Sequence, residues 1–289
     1  EKEKADYELQ KNKLSLQVAK TYEQIVYWQH QERLYSYLDS LYQNFSKASD
    51  RRFELGETNY LEKITAQSKY RQIKTKLTQI NFEKKAQYES LQALVQSDEK
   101  ISILEKELVP IPTLDTTSNK AIHTAYLESI SKMYKSQISL QKQHWLPDLN
   151  LEYFQGRNNG LSQSLYGFQV GIAVPILFSG NVSKTKVAQL ESQSWEEQKQ
   201  NQEQKMTQFI RQQQNEIAKY QESINYYNAT GKKLSEEIIK VANSSYKNGE
   251  IDFFQYIQSL ENAVAIKIEY VEAVLQFNSN QLELHYLNF

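Results

Sequence analysis

The chain has no cysteine, and only four prolines and eight glycines in 289 residues. The first absence excludes a disulfide framework, a cysteine-ligated zinc site and a thiol nucleophile. The scarcity of the two helix-breaking residues is unusual for a compact enzyme and favours long helices, as does a composition led by Gln, Lys, Glu, Ser and Leu. No apolar run reaches the ~20 residues that a membrane helix needs. An excess of one charge is lacking too. Thirty-four basic and 35 acidic residues leave a net charge of −1, without the basic surplus of a nucleic-acid binder. Two methionines are too few for a soft-metal relay. The four histidines, His30, His123, His144 and His285, lie far apart, and none has a metal-ligand spacing such as H-E-x-x-H. They read as solvated or interfacial, and neither a metal nor a cofactor is expected. Phosphate-cradling loops, nucleophile elbows and acid/base constellations are also missing, so the chain is not expected to be an enzyme. Carboxylate pairs such as Glu196–Glu197 and Glu236–Glu237 read as solvated helix faces. The opening EKEKADYELQKNKL is charged and helical with no signal pattern, so the first residue is expected to lie mid-protein or at a processed or trimmed end.

Present instead is one phrase used twice. FELGETNYLEKI (53–64) returns as YKNGEIDFFQYI (246–257), an offset of 193 residues between Gly56 and Gly249. At that offset Glu57 meets Glu250, Asn59 meets Asp252, Tyr60 meets Phe253 and Ile64 meets Ile257. Glycine tolerates positive φ and ends a helix. Asn59 and Asp252 can each accept a backbone N–H at the start of the next one. The phrase is therefore a stop followed by a start, and it predicts two helix–turn–helix units forming an internal two-fold repeat.

The flanking segments are long. Residues 1–50, 61–97 and 250–289 contain neither proline nor glycine, and 181–248 contains only Gly231. About 60 residues of helix would run roughly 90 Å. In the last segment Val264, Ile268, Val271, Leu275 and Leu282 are spaced by four, three, four and seven, a coiled-coil step. A second stripe, Ile266, Tyr270, Ala273, Phe277 and Leu284, runs beside it. Two stripes predict a helix with neighbours on both sides, as in a wall of helices or an ordinary antiparallel bundle. The expected domains are 1–97, a helical hairpin with its tip near 53–61; 98–146, a linker around VPIP (109–112) and a helix over 119–145; 147–178, a β-hairpin; and 179–289, a second helical hairpin with its tip near 246–254.

The β-hairpin follows from period-two alternation. Leu149, Leu151 and Tyr153 alternate with Asp148, Asn150 and Glu152, and Tyr166, Phe168, Val170, Ile172 and Val174 alternate with small or polar residues. Strands of about nine and eleven residues with one apolar face fit a membrane barrel and fit a soluble sheet with one buried face equally well.

Taken together, these segments resemble the TolC-like outer-membrane efflux proteins. HWLPDLNL (144–151) looks like the start of a membrane strand in that family. VGIAVPILFSGNVSKTKVAQLE (170–191) is similar to its strand-to-helix exit, and 246–282 is similar to its final turn and helix. The resemblance implies a mostly α fold whose long antiparallel helical hairpins form an α-barrel tunnel. A β-barrel stands at one end, with Leu149, Leu151, Tyr153, Tyr166, Phe168, Val170, Ile172 and Val174 facing lipid. It implies a homotrimer in the outer membrane and periplasm of a Gram-negative bacterium, with no nucleic acid involved. Such a trimer would be a passive exit duct for an RND-type pump or a type I secretion system, joined to a periplasmic adaptor (membrane fusion protein) and an inner-membrane pump. Adaptor docking would then fall to Leu55, Gly56, Glu57, Asn59, Tyr60, Asn248, Gly249, Glu250, Asp252 and Phe253. A periplasmic gate would involve Tyr246, Asp252, Gln255, Gln258 and Glu62. Two departures stand out. The offset of 193 places a first strand pair before residue 1, so the chain is a fragment, part of a fused pump, or a one-hairpin subunit. Gln255 and Gln258 also stand where relatives can carry an acidic ring. The alternative is a soluble, elongated helical scaffold with a hairpin cap.

Overall fold

A computed structural model describes residues 2–97, 99, 101–105, 107–157, 164–174 and 179–287. Its elements, in order, are α1 (Lys2–Glu54), α2 (Tyr60–Val95), α3 (Thr117–Gln143), β1 (Asp148–Arg157), β2 (Ser164–Ala173), α4 (Ser179–Tyr226), a π-helical turn (Tyr227–Gly231), α5 (Lys232–Lys247) and α6 (Phe253–Tyr286). No helix among the described residues is long and apolar enough to cross a membrane. Packing divides the chain into two compact units, Glu1–Leu9 with Ala121–Met206, and Gln10–Lys120 with Thr207–Phe289.

The first unit carries the hairpin. β1 and β2 pair antiparallel, with Leu149 opposite Ile172, Leu151 opposite Val170, and Tyr153 opposite Phe168. Because side chains alternate along a strand, this register gathers these six apolar residues of the two strands on one face. On the other face Phe154 lies opposite Gly167. A Cβ at Gly167 would stand 2.5 Å from the Phe154 ring, so glycine there lets the ring fold across the partner strand. Below the hairpin, the end of α3 is tied to the start of α4. Asn181 donates to the His144 carbonyl (2.9 Å) and the Trp145 indole donates to the Thr185 hydroxyl (3.3 Å). The hairpin loop and the Pro175 exit expected from the sequence lie outside the described residues.

The second unit holds two hydrophobic clusters. One gathers Val26, Tyr27, Leu108, Ile224 and the C-terminal half of α6, where Val271, Ala273, Val274, Leu275 and Phe277 are buried. Members of both expected stripes are thus buried along one helix, which therefore has packing neighbours on more than one side. The other cluster lies near the turns and is described below.

A helix uninterrupted from 181 to 248 is not what forms. The π turn at Tyr227–Gly231 widens the helix between α4 and α5. Two contacts accompany it: the Tyr227 ring stacks on Tyr270 at 3.9 Å, and Gly231 packs so closely that an added Cβ would lie 3.2 Å from Ile266. α5 packs along α6, and Ile224 near the end of α4 joins the cluster that buries the middle of α6.

The linker between α2 and α3 is pinned by one buried residue. Asn278 of α6 accepts from the Ile111 N–H (2.9 Å) and donates to the Val109 carbonyl (2.9 Å) and the Glu23 carboxylate (2.7 Å). Burial pushes the Glu23 carboxyl above its usual range, and the Asn278 bond partly opposes that shift. Asn278→Leu would keep the volume but take the Asn278 partner from three part-buried polar groups, at a cost of up to roughly 1–3 kcal/mol for each one that water does not reach. The expected result is a lower thermal unfolding midpoint, measured by circular dichroism, whereas Asn280→Ala, two residues further along the same helix, should change it little.

Candidate functional site

The two turns share one backbone design. After α1, Gly56 N–H bonds to the Phe53 carbonyl (3.0 Å) and Glu57 N–H to the Arg52 carbonyl (2.8 Å). After α5, Gly249 N–H bonds to the Tyr246 carbonyl (3.1 Å) and Glu250 N–H to the Ser245 carbonyl (2.8 Å). This is the six-to-one, five-to-two pattern of a helix ended by a left-handed residue. Gly56 and Gly249 supply that residue, with φ of +72° and +74°. Neither would meet an atom within 4 Å if it carried a Cβ, so the need for glycine is conformational rather than one of space. Each next helix starts with a side-chain cap: Asn59 accepts from Glu62 N–H (2.9 Å) and Asp252 from Gln255 N–H (2.8 Å).

Beyond the backbone the turns differ. Gln255 returns its side chain to the Asp252 N–H (3.0 Å), closing a capping box. Glu62, at the matching position, turns elsewhere: its buried carboxylate accepts from the Thr58 hydroxyl (2.6 Å) and from Arg52 Nη1 (3.0 Å). The same Arg52 nitrogen donates to the Tyr246 hydroxyl (2.9 Å). One guanidinium thus ties the end of α1, the first turn of α2 and the end of α5. Burial raises the Tyr246 phenol above its usual pKa, with the Glu62 charge adding to the shift and Arg52 opposing it.

An aromatic cluster supports this network. Phe45 stands 5.4 Å from Tyr246, 5.3 Å from Phe253 and 5.0 Å from Tyr256, and Tyr246 stacks on Tyr256 at 4.7 Å. Burial pushes the Tyr256 phenol up to about 12, and its hydroxyl donates to Asn243 (2.6 Å). Leu38, Tyr42, Ala66, Ala242, Ile257 and Leu260 complete the cluster.

Of the residues expected at a docking surface, Leu55, Gly56, Glu57, Asn59, Tyr60, Asn248, Gly249, Glu250 and Asp252 are exposed. Phe253 is not. It is 2% exposed, inside the aromatic cluster, while its neighbour Phe254 is 45% exposed. Phe253 must therefore be replaced by Phe254 among the surface residues of this turn, since only one ring of an adjacent helical pair can face Phe45. Leu61, 57% exposed beside Tyr60, joins the surface of the first turn. Of the expected gate residues, Tyr246 and Glu62 meet through Arg52. Asp252 and Gln255 serve each other as caps, and Gln258 bonds along its own helix to Asn262 (3.0 Å). Sequence reading missed Arg52; its signal is the arginine four residues before Gly56, where the second phrase has Ser245.

The hairpin is the second candidate feature. All eight residues expected to face lipid are exposed, with Leu151 at 82% and Phe168 at 78%. Among the described residues the sheet has two strands, so both strands are edges with unpaired backbone groups along their outer sides. No group of described residues could hold a metal ion.

Residues 131–287, more than half of the chain, match the family model described as Outer membrane efflux protein. No curated protein matches the chain. Several solved structures share its fold, three of them as follows. A membrane protein from Pseudomonas aeruginosa has a TM-score of 0.86 at 15% identity, over 99% of this chain and 69% of that one. The Campylobacter jejuni CmeC outer membrane channel has 0.80 at 14%, over 98% and 64%. The open state of the Neisseria gonorrhoeae MtrE outer membrane channel has 0.75 at 16%, over 98% and 67%. The chain thus spans about two thirds of the length of these structures, and at such identities the likeness is one of fold. With the family match covering the strands, the second turn and the last helix, the chain belongs to the outer membrane efflux protein family.

Proposed function

We propose that this chain is a protomer of a passive, trimeric exit duct in the outer membrane. In it the hairpin contributes to a β-barrel, and the helical hairpins of an internal two-fold repeat form a periplasmic tunnel. The observation that carries the reading is the exposed apolar face of the hairpin. A contiguous apolar surface of this kind marks a membrane or partner interface, and an isolated two-stranded hairpin is marginal in water. In lipid, every backbone group must also be paired, which an open edge cannot do. Closure with further strands, from other copies or from chain outside this sequence, answers both requirements. Trp145, at the foot of β1, suits the interfacial level where amphipathic rings collect.

In this reading energy comes from an inner-membrane pump, and a periplasmic adaptor engages the two turns through Leu55, Tyr60, Leu61 and Phe254. The Arg52 network holds the turns closed, and adaptor contacts favour an open arrangement. A hydrogen bond to a charged group contributes about 1.5–3 kcal/mol, and each 1.4 kcal/mol is tenfold in a population. Arg52→Ala is therefore expected to raise the open fraction about tenfold or more. The measurement is single-channel conductance of the purified protein in planar bilayers. Tyr246→Phe, which removes one bond, should have a smaller effect in the same direction. Absence of any channel from the wild-type protein would defeat the duct reading; a wild-type channel with both variants unchanged would defeat the latch.

A further inference from the structure

Asn248 caps the end of α5, directly before Gly249, and its side chain is exposed. An asparagine in that position is the one whose side-chain amide its own backbone attacks most readily, because the glycine nitrogen has no side chain to shield it. Every other described asparagine precedes a residue with a side chain, and Asn159–Gly160 lies outside the described residues. There is room for the reaction, since a Cβ on Gly249 would meet nothing within 4 Å. The first turn has Leu55 at the matching position and offers no such amide. Two contacts restrain the reacting groups. The Gly249 N–H is taken by the Tyr246 carbonyl (3.1 Å), and Asn248 Nδ2 donates to Glu250 Oε1 (3.3 Å), a bond that is long for its kind. The Ser245 hydroxyl donates to the other Glu250 oxygen (2.8 Å). Attack therefore waits until the turn opens locally, which costs less than global unfolding.

We propose that Asn248 is a site of spontaneous deamidation, gated by the opening of the second turn. The Gly249 nitrogen gives its proton to hydroxide and bonds to Asn248 Cγ. The Cγ–Nδ2 bond breaks, and the nitrogen leaves as ammonia with a proton taken from water. Water then opens the cyclic imide at either carbonyl, giving aspartate or isoaspartate. The sum is amide plus water to acid plus ammonia, with no oxidant or reductant. Either product removes the Asn248–Glu250 bond and sets two carboxylates side by side, where like charges repel. Isoaspartate also routes the backbone through the side chain and lengthens it inside the turn. The Gly249–Tyr246 and Glu250–Ser245 bonds then lose their register. The change is one-way and confined to the second turn. It is a reaction of the chain itself and does not rest on the exit-duct reading.

The test holds the purified protein at mildly alkaline pH, digests samples with pepsin in acid, and reads the fragments by mass spectrometry. Isoaspartyl methyltransferase labels the isomerised product. The fragment with Asn248 should gain the mass of the acid sooner than those with Asn59 or Asn228, and later than the same fragment from the urea-unfolded chain. Asn248→Gln should stop the reaction, because the larger ring closes far more slowly. Glu250→Ala releases the amide, and Arg52→Ala releases the Tyr246 hydroxyl. Each should speed conversion about two- to tenfold, the factor one hydrogen bond contributes to a population, with an unchanged circular dichroism spectrum. The site is overturned if Asn248 of the folded protein stays an amide while the unfolded chain converts, or if Asn59 and Asn228 convert as fast. The gating is overturned if folded and unfolded chains convert at one rate, or if both folded variants keep the wild-type rate.

Discussion

Leu151→Arg combined with Val170→Arg is expected to abolish insertion into lipid, while Gln169→Arg, one residue away, is expected to leave it intact. Leu151 and Val170 are direct partners near the middle of the two strands, on the face where every large apolar side chain is exposed. An arginine on the lipid face of a barrel costs roughly 2–4 kcal/mol near the midplane and less toward the interfaces. Two per copy exceed much of the 5–15 kcal/mol that a folded domain typically commands. Gln169 lies on the opposite face, opposite Glu152, where a charge would meet water and an acidic partner. The measurement is recovery in the outer-membrane fraction and in lipid vesicles after refolding. A double variant that inserts like wild type, or a Gln169 variant that fails equally, would place the apolar face against protein and revive the soluble scaffold with a hairpin cap.

This contrast was legible because strand alternation is a local pattern: period two in 148–174 states which residues share a face, and pairing only had to match the two strands in phase. The turns were legible for the same reason. A glycine that must adopt positive φ and a capping Asn or Asp three residues later are short-range requirements, and both turns meet them with the same bonds. Side-chain burial does not follow the repeat. Tyr60 and Phe253 occupy the same position in the two phrases, yet Tyr60 is 61% exposed and Phe253 is in the core. What separates them is Phe45 on α1, 208 positions before Phe253, and no local pattern reports that contact. Arg52 was hidden likewise, since Tyr246 is 194 residues away. The π turn left only Gly231 as a trace, and a lone glycine in a helical run does not reveal whether it relieves crowding or widens a turn. Asn278 sits among apolar stripe residues with nothing in its spacing to announce three hydrogen bonds.

Gly56→Pro combined with Gly249→Pro should abolish export while leaving the protein inserted in the membrane. Proline locks φ near −65°, whereas these residues sit at +72° and +74°. It also removes the N–H that each donates to the Phe53 or Tyr246 carbonyl. Both helix stops are lost at once, and the surfaces carrying Leu55, Tyr60 and Phe254 can no longer be presented together. Alanine is the graded comparison. Its only penalty is the left-handed conformation, about 1–2 kcal/mol per residue, because nothing lies within 4 Å of the added Cβ. Gly56→Ala and Gly249→Ala should therefore keep most export, so the order wild type, alanine, proline separates conformation from crowding. Insertion should survive the prolines because the strands belong to the first compact unit and both turns to the second. Efflux of a fluorescent substrate from whole cells, with outer-membrane recovery measured in parallel, reads both effects. Wild-type export with both prolines in place would detach the turns from transport altogether, and the adaptor surface would have to be sought elsewhere on the helices.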